Sequence, residues 1–163
     1  MGLLIVKADF IGKFELAKSI NDKIDSYIAK YEENYLRDLL GSELFTLFKN
    51  DVVDNEPQSE EYLTIFNPIN TNINDVEVRS EGLKDMLLGF IYFDYERDNR
   101  YKTSNIGQTK NNPDSGSNEF DLFHLNSRYN DSIKTYQNIQ YYICANKSIY
   151  PTYKGLEKSY TYL

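Results

Sequence analysis

Apolar residues recur along most of this chain at spacings of three and four, the period that lays side chains along one face of an α-helix. Ile20, Ile24, Tyr27, Ile28, Tyr31, Tyr35, Leu36 and Leu39 form the first stripe. Asn21 or Asp22 can cap its start, and Gly41 suits the left-handed residue that ends it. Ser42 then caps a second, short helix with Leu44, Leu47 and Phe48 facing inward, so the Gly41–Ser42 joint sets the angle between the two. Residues 50–79 are polar and Asn-rich; within them 59–66 predicts a short helix and 67–79 an exposed loop. Ser80 begins a third helix with Leu83, Met86, Leu87, Phe90 and Ile91, which Gly82 and Gly89 weaken slightly and where each offers a point of close approach to another backbone. It runs to about Tyr101 and ends in the charged run YERDNRYK. Residues 102–117 are turn formers with few apolar positions, long for a passive link, and predict a segment either disordered or ordered against a partner. The last helix starts near Asn118 and reaches about Ala145, with Leu122, Leu125, Tyr129, Ile133, Tyr136, Ile139 and Ile143 along one face.

The ends of the chain break this period. Residues 3–10 (LLIVKADF) are aliphatic and β-branched and predict a short strand or extended arm, which must pair with another segment or with a neighbouring subunit. Tyr150-Pro151 closes the helical region, and a tail with Tyr153, Tyr160, Tyr162 and Leu163 follows. The sum is a mainly α fold in a single domain spanning 1–163. A small helical bundle at 20–147, of three long helices plus a short one, carries an extended arm at 1–19, long loops at 67–79 and 102–117, and a tail at 148–163.

Composition narrows the function. The 163 residues suffice to bury a core without a metal or disulfide. The chain has 15 Tyr and 9 Phe but no Trp. Codon bias in an AT-rich genome is one origin of that Tyr excess; the other is surface chemistry, since Tyr suits surfaces wet in a monomer and buried in a complex. A net charge of −7 without any Lys/Arg cluster argues against gripping nucleic acid. The longest apolar run, Gly2 to Val6, is too short to span a bilayer or make a signal peptide, so the expectation is a chain neither secreted nor embedded in a membrane.

Candidate chemistry is sparse. The one histidine, His124, has no nucleophile arrangement around it, and the one cysteine, Cys144, sits among apolar neighbours as a small core residue. Two such residues are too few for a zinc site. Glu32-Glu33, Asp94, Glu96 and Asp98 stand beside Lys30, Arg37, Arg97 and Arg100, which predicts a solvated, ion-paired face. No phosphate loop, dinucleotide fingerprint or nucleophile elbow occurs. The expectation is a protein that is not an enzyme, with no catalytic, cofactor-binding or metal-binding residue, working by binding other proteins.

The run YIAKYEENYLRDLLGSELFTLF (27–48) resembles a pattern of the head–tail connector proteins of tailed bacteriophages infecting Bacteroidetes. Glu32, Tyr35, Leu36, Leu39, Leu40, Gly41, Leu44 and Phe48 occupy the matching places. The later order is similar too: an aromatic helix (GFIYFDYERDNR), a Gly-containing polar loop, a long helix, and a terminal Tyr-Pro-x-Tyr-x-Gly at 150–155. The N-terminal arm and the Asn-rich stretch 67–79 have no counterpart in it. The resemblance implies a virion adaptor or neck protein, assembled in the host cytoplasm, that forms a homo-oligomeric ring, often of twelve copies. Such a ring joins the portal protein to a downstream neck or tail protein and continues the DNA channel, with DNA passing through unbound. Segments that order on contact are the expected interface: Ile5 and Phe10 in the arm, Ile106 in the long loop, and Tyr153, Tyr160 and Tyr162 in the tail. The alternative is a small acidic helical binding module, a regulatory protein acting on one protein partner.

Overall fold

The computed structural model describes the backbone of residues 2–16, 23–104, 107–110 and 118–163, and their side chains outside 100–121. The fold is mainly helical. Helix α1 (Ile24–Asp51) buries Ile24, Ile28, Tyr35, Leu36 and Leu39 of the predicted stripe, with Leu40 beside them, and leaves Tyr27 and Tyr31 half-buried; Ile20 and the candidate caps Asn21 and Asp22 lie outside the described residues. Gly41, at φ 72° and ψ 159°, divides α1 into two helical runs, so the predicted joint is present. Those angles belong to a region almost restricted to glycine. Leu47, predicted inward, is 47% exposed, because the short run after the joint turns only Leu44, Phe45 and Phe48 into the core.

Helix α2 (Glu60–Phe66) matches the short predicted helix. The longer helices α3 (Gly82–Arg100) and α4 (Asn118–Ala145) pack along each other more extensively than any other pair of elements. At about 1.5 Å per residue, the 28 residues of α4 span about 42 Å. Gly89 makes the close crossing with α4 work: a β-carbon there would stand 1.9 Å from the Ser132 hydroxyl and 3.3 Å from the Arg128 carbonyl. Leu125, Ile133, Tyr136, Ile139 and Ile143 are buried along the predicted face of α4, whereas Leu122 is 49% exposed.

The polar stretches hold more structure than the sequence predicts. Strands β1 (Val52–Val53) and β2 (Glu56–Pro57) form a minimal hairpin. The loop expected at 67–79 is instead an antiparallel hairpin of β3 (Ile69–Ile73) and β4 (Val76–Ser80). In both hairpins the two turn residues, Asp54-Asn55 and Asn74-Asp75, have positive φ, the backbone that matches strand twist in a two-residue turn. Ile69, Val78 and Ser80 are buried, and β4 lies on α4, so the second hairpin caps the helical layer. The loop expected at 102–117 also begins as a hairpin, of β5 (Tyr101–Ser104) and β6 (Gly107–Lys110), continuing from α3; 111–117 lie outside the described residues.

The N-terminal segment is not a strand. Residues 7–9 and 12–14 form single tight turns, and Leu4, Ile5, Phe10, Phe14 and Leu16 join the same contiguous core as the helices. Among the described residues no helix is long and apolar enough to cross a membrane.

Candidate interaction site

Three connected features organise the face around α1. The first is a clamp on the N-terminal segment. Glu32 lies at i+4 from Ile28 and i−4 from Leu36, so helical geometry carries its carboxylate onto the buried stripe, where it is 2% exposed. Its oxygens accept the backbone N–H groups of Leu3 at 2.5 Å, Leu4 at 2.7 Å and Ile5 at 2.8 Å. From the β1–β2 turn, the Asn55 amide donates to the carbonyls of Gly2 and Leu3 at 3.1 and 3.0 Å. Burial raises the Glu32 pKa and the three N–H donors pull it down, with burial the stronger effect.

The second feature is the lock between the helix joint and the C-terminal tail. The Glu157 N–H donates to the Asp38 carbonyl at 2.9 Å. Its carboxylate accepts the Ser42 N–H at 2.8 Å and the Ser42 hydroxyl at 2.5 Å, capping the helical run that restarts after Gly41. A β-carbon on Gly41 would stand 3.2 Å from the Gly155 carbonyl. The Tyr160 hydroxyl donates to the Asp38 carboxylate at 2.5 Å, the Tyr136 hydroxyl to the Lys158 carbonyl at 2.6 Å, and Lys154 pairs with Glu43.

The third is an open cleft of about 660 Å³ between α1, α3, α4 and the tail. Its aromatic lining is Tyr31, Tyr35, Phe93, Tyr129 and Tyr160. Tyr35 stacks on Phe90 at 4.6 Å between ring centres, and Tyr160 packs against Tyr35, Phe90 and Tyr136 at 5.3–5.5 Å. Tyr129 lies 4.4 Å from Phe93. Asp94, 4% exposed, accepts the Tyr35 hydroxyl at 2.5 Å and Arg97 at 2.9 Å, and Arg97 also reaches Asp98 at 3.0 Å. Burial raises the Asp94 pKa against the pull of those two donors. Arg37 and Lys158 line the same cleft, and among the described residues neither is paired with a carboxylate. They lie instead over the rings of Phe45 and Tyr160.

The expected interface residues divide sharply. Ile5 and Phe10 are 0% and 6% exposed in the chain's own core, so neither presents a surface while the segment is docked. Tyr153 is buried against the same core, Tyr160 is half-buried in the cleft, and Ile106 lies outside the described residues. Among the five that are described, Tyr162 alone is well exposed, with its hydroxyl on Gln137 at 2.9 Å. The expectation of a solvated acidic face is corrected. Glu32 and Asp94 are buried, while Glu33 with Lys49 at 2.5 Å and Asp98 with Arg97 at 3.0 Å are exposed ion pairs, so the face is solvated only in part. The readable signal was register: Glu32 falls in line with Ile24, Ile28 and Leu36, and Asp94 with Leu87, Phe90 and Ile91. Cys144 is half-buried at the edge of the core, and His124 is exposed beside Phe123. Among the described residues no three His, Cys, Asp or Glu side chains converge as a metal site would require.

Comparison with family models, with curated proteins and with solved structures found no match.

Proposed function

We propose that this chain is a structural subunit of the head–tail junction of a tailed bacteriophage. In this reading it assembles as a ring between the portal protein and a downstream neck or tail protein. The observation that carries the proposal is the meeting of two distant segments. The resemblance rests on 27–48 and on 150–155, which are far apart in sequence, yet Gly155 packs against Gly41 and Glu157 caps the helix restarting at Ser42. A likeness spread over two segments that form one packed unit is better explained by a shared fold element than by two separate coincidences of composition. The net charge of −7 suits a channel subunit that DNA passes without sticking.

Native mass spectrometry of the purified chain, alone and mixed with a candidate portal protein, tests this. The expected result is a ring, or many copies bound per portal. A stable monomer that ignores the portal refutes it and favours the small acidic binding module. The cleft, whose Arg37 and Lys158 have no carboxylate partner among the described residues, is the feature that module would use.

A further inference from the structure

We infer that the C-terminal tail is a latch on the kink in α1: with the tail seated the joint at Gly41 is fixed, and with the tail lifted it is free to straighten. This latch does not depend on the ring reading. In an unbroken helix the Ser42 N–H donates to the carbonyl four residues back, that of Asp38. Here Glu157 occupies both ends of that bond. Its carboxylate accepts the Ser42 N–H at 2.8 Å, and its own N–H donates to the Asp38 carbonyl at 2.9 Å. A group inserted into the helical ladder is a general cause of a sharp kink, and Gly41, lying between the two, is the residue with non-helical angles. The tail also grips both sides of the joint. The Tyr160 hydroxyl holds the Asp38 carboxylate at 2.5 Å before it, and Lys154 pairs with Glu43 after it.

The kink decides which side chains reach the core. Phe45 and Phe48 follow Leu36 and Leu39 by nine residues, which sets them on opposite faces of a straight helix. All four are 0–3% exposed in one core, so it is the angle at Gly41 that turns both pairs inward. The exposed Leu47 stands seven residues after Leu40, in line with it on a straight helix. Helix α1 therefore has two arrangements that satisfy the same backbone groups: kinked around Glu157, or continuous with Ser42 bonded to Asp38. Glycine permits both at position 41. Burial of the two rings favours the kinked arrangement, and the tail completes it. The tail's hold is a few bonds at largely exposed groups, the kind that open first. A partner that draws the tail away therefore acts on the run 42–51 without touching it, and by linkage whatever straightens the joint expels the tail.

Two measurements on the full chain test the latch from its two ends. The first is the electron spin-label distance across the joint, with labels at the exposed positions Ala29→Cys and Asn50→Cys and the native thiol removed by Cys144→Ser. Without changes to the tail a single short distance is expected. Glu157→Ala with Tyr160→Phe is expected to add a second population approaching the length of a straight helix over that span, about 32 Å. Glu157→Gln, which keeps an acceptor for Ser42, is expected to stay with the single distance. Should the double change not fold, Tyr160→Phe alone keeps the ring among Tyr35, Phe90 and Tyr136 and carries the same test at smaller amplitude. The second measurement is amide hydrogen exchange at Glu157 in Gly41→Ala, expected to quicken about tenfold, because a joint pushed toward helix drives the tail off. One unchanged distance in the tail variants overturns the latch. So does a Glu157 amide that exchanges at the wild-type rate in Gly41→Ala, since the tail would then lift without regard to the joint.

Discussion

Removing the Glu32 carboxylate would leave three backbone N–H groups without acceptors. Two of them, on Leu4 and Ile5, belong to residues with no exposed surface. A stranded buried donor costs about 1–3 kcal/mol. Undocking the segment instead would expose Leu4, Ile5, Phe10 and Phe14, at about 1.5–3 kcal/mol each. Undocking is therefore the dearer response, and Glu32→Ala is expected to keep the segment docked while losing about 3–6 kcal/mol of stability. Against a typical total of about 5–15 kcal/mol, that is a severe loss. Glu32→Gln is milder. Its carbonyl can still serve Leu4 and Ile5, its amide faces the Leu3 N–H, and a desolvated charge is removed. A loss of about 1–2 kcal/mol is expected. Urea unfolding followed by circular dichroism gives both values, and hydrogen exchange at the amides of residues 3–5 locates the effect. If Glu32→Ala lies within about 1 kcal/mol of wild type and those amides stay protected, the clamp does not hold the segment.

Gly41→Ala should cost about 1–3 kcal/mol in a thermal melt, because φ 72° with ψ 159° strains any β-carbon; an unchanged melting temperature would mean the joint adapts freely. Gly89→Ala should lose about 1–3 kcal/mol through collision with the Ser132 hydroxyl, and adding Ser132→Ala should recover part of it; strictly additive losses would deny the contact. The pH profile of stability has a definite sign. Glu32 and Asp94 have raised pKa values in the folded state, so the folded chain binds protons more tightly than the unfolded one. Their contribution is fullest below the ordinary carboxylate range, near pH 4, and is lost as pH rises through the folded values. Asp51 acts oppositely: burial raises its pKa, but bonds from Ser59 and Gln58 leave it lowered, so its contribution fades as pH falls below about 4. Urea unfolding should therefore show stability rising as pH drops from 7 toward the ordinary carboxylate range at about 4, with a smaller rise in Glu32→Gln; a steady fall over that whole window would refute the assignment.

The helices were legible because their information is local: an apolar side chain every three or four residues declares a face whatever it packs against. The Gly41 joint was legible for the same reason, since one residue without a β-carbon closes one helical run and Ser42 opens the next. The β3–β4 hairpin was half legible. Ile69, Thr71 and Ile73 alternate before Asn74-Asp75, as a hairpin requires, but the Asn-rich composition reads as loop until two strands pair. What one residue does to another far along the chain was not legible. Glu32 carries a charge that belongs in water, and only the packing of residues 2–5 over it supplies the three donors that let it be buried. The tail's hold on Asp38 and Ser42 is likewise a contact between segments more than a hundred residues apart. The cleft exists only where α1, α3, α4 and that tail converge. Sequence periodicity fixes which face of an element is apolar; which elements meet, and so which polar groups become buried partners, is decided by tertiary packing.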